Sequence, residues 1–257
     1  SIQSYVPALS PLRRFGIEKI LVCTYQAISG AGKTFATWPE MVDNLIPYIG
    51  GEEEKSEQEP LKVWGKVENG VIVKADAPAI TAQCLRVPVS NGHMAAAFVT
   101  FKNKPTMDEM KQIWAEYKGR PQELNLPTAP KQFLNYFEDP SRPQTKLDRE
   151  LEGGMAVSIG RLRPDTQYDY KFVSLSHNTL RGAAGGAVLL ADVADPAPHL
   201  ARLRRDVDAG DPRGARRRRQ QAREHPQCGG LAGPVRAEQG HQLPGRDVEI
   251  DPPDGLD

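Results

Sequence analysis

No aromatic residue follows Phe172 and no lysine follows Lys171 in this 257-residue chain. The last 63 residues hold 11 arginines, 11 acidic residues and no aromatic, so a hydrophobic core cannot be built from them. Residues 195–257 are therefore expected to form a disordered or non-native tail. The one strongly basic run there, "RGARRRR", has no neighbouring aromatics and is set among acids, which argues against an RNA-binding segment. Formal net charge is zero, so the chain as a whole carries no electrostatic footprint for nucleic acid or for an anionic membrane. No window reaches the roughly 18 apolar residues of a spanning helix. The opening "SIQSYVPALS" lacks the basic region and apolar run of a signal peptide. It also lacks an initiator methionine, and the chain is expected to begin inside a longer protein. Cysteine is scarce, and Cys23, Cys84 and Cys228 show neither zinc nor redox spacing. The histidines at 93, 177, 199, 225 and 241 have no ligand spacing with acids or cysteines, so no metal is expected. A reducing, cytoplasmic compartment fits this cysteine usage.

What is present lies before residue 195. Apolar residues at Val6, Leu9, Leu12 and Phe15 have helical spacing, with Pro7 and Pro11 requiring a late start or a bend. "KILVCTYQAI", residues 19–28, reads as a buried strand. A helix is predicted at about 38–48, then an acidic helical or loop stretch, then strands around 70–75, 81–89 and 92–101. "PTMDEMKQIWAEYK" places Met107, Met110, Ile113, Trp114 and Tyr117 on one helical face. Residues 120–150 read as a long loop with a short helix near 133–137, followed by strands at 155–162 and 168–175. A helix rich in small residues is expected from about Thr179, and its glycines require a partner for stability. The pattern predicts an α+β fold: a mixed, largely antiparallel sheet with helices on one face.

The stretch "RVPVSNGHMAAAFVTF", residues 86–101, carries one arginine and one histidine. If Asn91-Gly92 forms a two-residue hairpin turn, Arg86 and His93 share a face, roughly 13 Å apart along the ladder. A guanidinium holds a carboxylate by two parallel hydrogen bonds and an imidazole moves a proton near neutral pH. Alone, the signal is weak: a lone histidine at a turn is more often solvent-facing than catalytic, and an arginine in an edge strand is more often a surface charge. "TYQAISGAG", residues 24–32, sets Gln26, Ser29 and two glycines after a strand, where backbone can approach a ligand; it lacks the spacing of a phosphate loop.

Taken in order, "FGIEKILVCTYQAISGAG", "GEEEK", "RVPVSNGH" and "YDYKFVSLSHNTLRGAAGGAVLLA" resemble the C-terminal part of aspartate-semialdehyde dehydrogenases of the archaeal and fungal branch. The resemblance covers about residues 1–194. It implies a catalytic and dimerisation domain at 1–177 and a C-terminal helix at 178–194 that packs on a Rossmann domain absent from this sequence. It implies an NADP-dependent enzyme, homodimeric or a dimer of dimers, that acts on aspartyl phosphate and its semialdehyde. In that family a cysteine thiolate attacks the carbonyl, hydride passes to NADP, and phosphate cleaves the thioester.

Residue by residue, His93 matches the general acid/base and Gln26 the glutamine beside the nucleophile. Arg86 matches the grip on the substrate carboxylate. Glu52 and Lys55 match the groups for the substrate amine and for phosphate, with an ambiguity of one position in the glutamate run. Ser29, Gly30 and Asn178 match cofactor contacts. Ser1 matches the residue directly after the nucleophilic cysteine, so this chain alone is expected to be inactive. A related acyl reductase such as malonyl-CoA reductase, and a non-catalytic dimerisation module or gene fragment, are the alternative expectations.

Overall fold

The structure, a computed structural model, describes residues 1–185. The tail expected at 195–257, and the later part of the helix expected at 178–194, lie outside the described residues. Within them a six-stranded sheet runs in the order β4-β1-β5-β8-β7-β6. Its strands are β1 (Ile17–Gln26), β4 (Ala79–Arg86), β5 (His93–Phe101), β6 (Leu134–Phe137), β7 (Val157–Pro164) and β8 (Tyr170–Ser176). β1 pairs in parallel with β4, and β6 with β7, while the three interfaces between them are antiparallel. The sheet is mixed and largely antiparallel, as the order of strands and helices along the sequence predicts. A separate two-stranded ribbon, β2 (Lys66–Glu68) and β3 (Val71–Val73), stands apart from it.

Alternation along the strands creates two different faces. Ile20, Val22, Thr24 and Gln26 of β1 lie beside Ala95, Ala97 and Val99 of β5 and Tyr170, Phe172 and Ser174 of β8, and all are buried. The alanines at 95 and 97 leave room for the first turns of the chain to lie on the sheet. There Ile2–Ser4, α1 (Val6–Leu9) and Ser10–Phe15 are three short helical pieces in place of one helix. Pro7 and Pro11 account for the breaks, since each lacks the N–H that would continue a helix. α3 (Met107–Glu116) starts at a reciprocal cap between Thr106 and Glu109 and buries Met110 and Trp114 on the same face. The Trp114 indole donates to the Ala8 carbonyl (2.8 Å) and packs against Tyr136 and Phe172.

Three expectations are overturned. The helix predicted at 38–48 is only a 3-10 turn at Pro39–Met41. Pro47 disfavours a helical Ile46, which instead bridges backbone to backbone with Arg86. The helix predicted near 133–137 is strand β6, a four-residue apolar run too short for its periodicity to decide. The hairpin around Asn91-Gly92 does not form, because β1 inserts between β4 and β5.

The acidic stretch forms α2 (Glu52–Val63), which lies along the outer edge of β4. Glu57 Oε1 accepts from the Ala82 N–H (3.0 Å) and Glu53 Oε1 from the Cys84 N–H (3.1 Å). The Arg86 N–H is taken by the Ile46 carbonyl (2.8 Å). Successive outward amides of an edge strand are thus closed by carboxylates and by one backbone bridge, a protection against edge-to-edge pairing.

Candidate active site

Three strand ends converge at one end of the sheet. Gln26 closes β1, Arg86 closes β4 in register with it, and His93 opens β5. All three are polar and buried: Gln26 is 2% exposed, His93 4% and Arg86 6%. The chain after β1 stays paired with the segment after β4, through Ile28 N–H to the Val89 carbonyl (2.9 Å) and Ser29 N–H to the Ser90 carbonyl (3.3 Å). It then turns at Ile28–Ala31 beneath the strand ends.

Ala27 orients both functional groups. Its N–H donates to His93 Nδ1 (3.1 Å) and its carbonyl accepts from Arg86 Nη1 (2.7 Å). Sequence reasoning missed Ala27, because its contribution is made by backbone and its side chain carries no signal. Gly30 is explained by space. A Cβ at this position would lie 3.0 Å from Arg86 Nη1 and 3.0 Å from His93 Nε2, so a side chain would occupy the volume in front of both groups.

Asn178 ties the two loops beside this volume together: Oδ1 accepts from the Gly92 N–H (2.8 Å) and Nδ2 donates to Ser29 Oγ (2.9 Å). From α2, Glu52 Oε2 accepts from Gln26 Nε2 (3.3 Å) and Ser1 Oγ (3.1 Å), and Oε1 accepts from Lys55 Nζ (2.7 Å). Glu53 points to β4 instead, so Glu52 is the member of the run that faces Gln26. Lys55 joins the cluster through Glu52.

The electrostatics follow from burial and from these partners. Burial alone would raise the Glu52 carboxyl, but Lys55 and the Gln26 amide outweigh it and hold the group below its ordinary value. Burial lowers the Arg86 guanidinium from its ordinary value, partly offset by Glu52. Arg86 makes no ion pair among the described residues, which leaves a guanidinium suited to an incoming carboxylate. Burial and Arg86 push His93 well below its usual value, against a smaller upward pull from Glu52. Among the described residues no three His, Cys, Asp or Glu side chains cluster in a way that could hold a metal ion.

The family described as "Semialdehyde dehydrogenase, dimerisation domain" matches residues 9–181. The aspartate-semialdehyde dehydrogenase of Schizosaccharomyces pombe is 45% identical over 194 residues, covering 74% of this chain and 54% of the relative. That of Methanothermobacter thermautotrophicus is 40% identical over 181 residues, 70% of this chain and 52% of the relative. The chain thus spans about half the length of the curated relatives it matches. Among solved structures, the aspartate semialdehyde dehydrogenase with NADP from Candida albicans superposes with a TM-score of 0.66 at 39% identity, covering 74% of this chain and 54% of that one.

Proposed function

Because the chain belongs to the semialdehyde dehydrogenase family through its dimerisation domain, we propose that it is the substrate-handling part of an NADP-dependent aspartate-semialdehyde dehydrogenase. The reaction is the reductive dephosphorylation of L-aspartyl 4-phosphate to L-aspartate 4-semialdehyde, a step toward lysine, threonine and methionine, carried out in the cytoplasm. The observation that carries this reading is the placement of Arg86 and His93 against Gly30, with the buried Gln26 in register with Arg86 at the same end of the sheet. Arg86 binds the substrate α-carboxylate with the guanidinium N–H groups that Ala27 leaves free. Glu52, anionic at neutral pH, receives the substrate ammonium. Lys55 lies within reach of the same carboxylate and supplies positive charge for phosphate. Gln26 orients the substrate, and His93 sits where the reacting carbonyl would be held.

Gly30 keeps the approach to Arg86 and His93 clear of a side chain, and Ser29, Gly30 and Asn178 are the residues that would hold the nicotinamide end of NADP. NADP, when bound, supplies or accepts the hydride. The nucleophile is a cysteine directly before Ser1, whose hydroxyl is already bonded to Glu52. Domain boundaries follow the same reading: substrate handling and dimerisation at 1–177, and a segment at 178–194 that belongs with the nucleotide-binding half. The sheet face away from the helices carries half-buried Cys23, Tyr25, Met94, Ala96, Phe98 and Val173 across β1, β5 and β8, and this face pairs two copies into a homodimer. An ammonium acceptor such as Glu52 favours the aspartyl substrate over malonyl-CoA, which has no amine.

The test is titration of the chain with L-aspartate 4-semialdehyde and with succinic semialdehyde, which lacks the amine, followed by amide NMR shifts. Tighter binding of the amino compound is expected, with loss in Arg86→Ala. Equal binding, or none, overturns the substrate assignment. Turnover of the semialdehyde by this chain alone, with NADP and phosphate, would overturn the placement of the nucleophile before Ser1.

A further inference from the structure

The ribbon of β2 (Lys66–Glu68) and β3 (Val71–Val73) takes no part in the site described above. Asn69 and Gly70 both have positive φ (50° and 78°), as the two-residue turns that match the twist of paired strands require, so the register of the ribbon is well defined. Val67, Val71, Ile72 and Val73 are nevertheless 45–74% exposed. Two strands alone are marginally stable in water, and four β-branched residues on a lone hairpin leave apolar surface uncovered.

The outer edge of β2 is complementary to itself. In a hairpin of this length the pair beside the turn, Glu68 and Val71, exchanges hydrogen bonds, and the next pair, Val67 and Ile72, does not. The Val67 N–H and carbonyl therefore point outward, and they meet no backbone partner beyond the ribbon among the described residues. Lys66 and Glu68 flank Val67, both exposed and neither in an ion pair among the described residues. A second β2 laid antiparallel about a two-fold axis at Val67 sets Lys66 opposite Glu68 of the second copy, and Glu68 opposite its Lys66. A parallel strand in the same register would set like charges together. The edge of β3 carries no charge from Val71 to Val73 that could select a register.

We propose that the ribbon joins two copies of this chain edge to edge through β2, with Val67 at the two-fold axis, to make a four-stranded antiparallel sheet. Val67 exchanges two backbone hydrogen bonds with its counterpart, and Val67 and Ile72 of both copies line one apolar face. So short an overlap buries less than the roughly 1,000 Å² of an independent interface, so the contact is weak and adds to the pairing of the large sheets. It does not rest on the catalytic reading.

The experiment is sedimentation equilibrium of the 257-residue chain from about 10 to about 500 μM in about 0.05 M salt, where exposed charges are little screened. The weight-average mass is expected to rise with concentration. Lys66→Glu or Glu68→Lys alone sets like charges at both cross-strand contacts and should move the rise to at least about tenfold higher concentration, whereas Lys66→Glu together with Glu68→Lys restores it. Val67→Pro removes the outward donor, leaves the ladder to β3 intact and should abolish the rise, whereas Ile72→Pro acts on the other edge and should not. Far-UV circular dichroism checks that each variant is folded. No rise in the parent, a rise that either single reversal leaves unchanged, a double exchange that fails to restore it, or loss in Ile72→Pro alone overturns the proposal. Pairing of the large sheets is read separately by Phe98→Glu, which lowers the mass at the dilute end and leaves the response to charge in place.

Discussion

Replacing Asn178 with alanine removes both ends of the bridge between Gly92 and Ser29. Each hydrogen bond contributes about 1 kcal/mol net, so the pair is worth about 2 kcal/mol. For a folded unit of this size that corresponds to a fall in Tm of about 4–8 °C. Asn178→Asp separates the two ends. Its carboxylate still accepts from the Gly92 N–H, and the Ser29 hydroxyl can rotate to donate to it, so the expected loss is under about 1 kcal/mol. Urea unfolding of the three proteins, followed by tryptophan fluorescence and far-UV circular dichroism, measures the difference. Stability of Asn178→Ala within about 0.5 kcal/mol of the parent would refute the bridge as a structural tie. Asn178 would then contribute only through a bound ligand.

Other perturbations give equally specific outcomes. Glu53→Ala with Glu57→Ala uncovers the Cys84 and Ala82 amides of β4, and should cost about 2–3 kcal/mol in urea unfolding and raise light scattering, whereas Glu54→Ala should cost under about 0.5 kcal/mol. Trp114→Ala empties a fully buried site and should cost about 3–5 kcal/mol by the same assay. Both Glu52 and His93 have folded pKa values below their ordinary ones, so each contributes stability that is complete above its unfolded pKa and is lost on acidification. Unfolding midpoints should therefore decline first below about 6.5 for His93, and again below about 4.5 for Glu52. His93→Gln should reduce the first decline and leave the part due to His177, which burial also lowers, while the Glu52 decline stays. Phe98→Glu places charge on the sheet face away from the helices and should turn a dimer into a monomer by sedimentation, and an unchanged mass would reject that face as the interface.

Much of the candidate site was legible in the sequence, though its geometry was not. Arg86 and His93 stand out in a short motif, yet the local turn signal at Asn91-Gly92 points to the wrong partner. The strand that separates β4 from β5 arrives from about sixty residues earlier, and pairing at that distance leaves no trace in a local window. Thus two residues placed roughly 13 Å apart on a hairpin instead flank the same glycine. β1, β5, α3, β7 and β8 follow their periodicity because each buries one face against the core. α2 carries little apolar periodicity because much of its contact with β4 is made by carboxylates on backbone amides. β6 failed for lack of length, and the 38–48 segment because backbone pairing at Ile46 and the restriction before Pro47 outweighed local helix propensity.

The backbone of Ala27 works as a gauge. Its N–H and its carbonyl, in two successive peptide groups, tie the imidazole and the guanidinium to one residue of extended chain. Under the proposed function, a molecule that touches both groups meets a guanidinium and an imidazole whose spacing is set at this turn. A change in the backbone at Ala27 would shift both groups together, whereas exchange of Arg86 or His93 alters one and leaves the other in place.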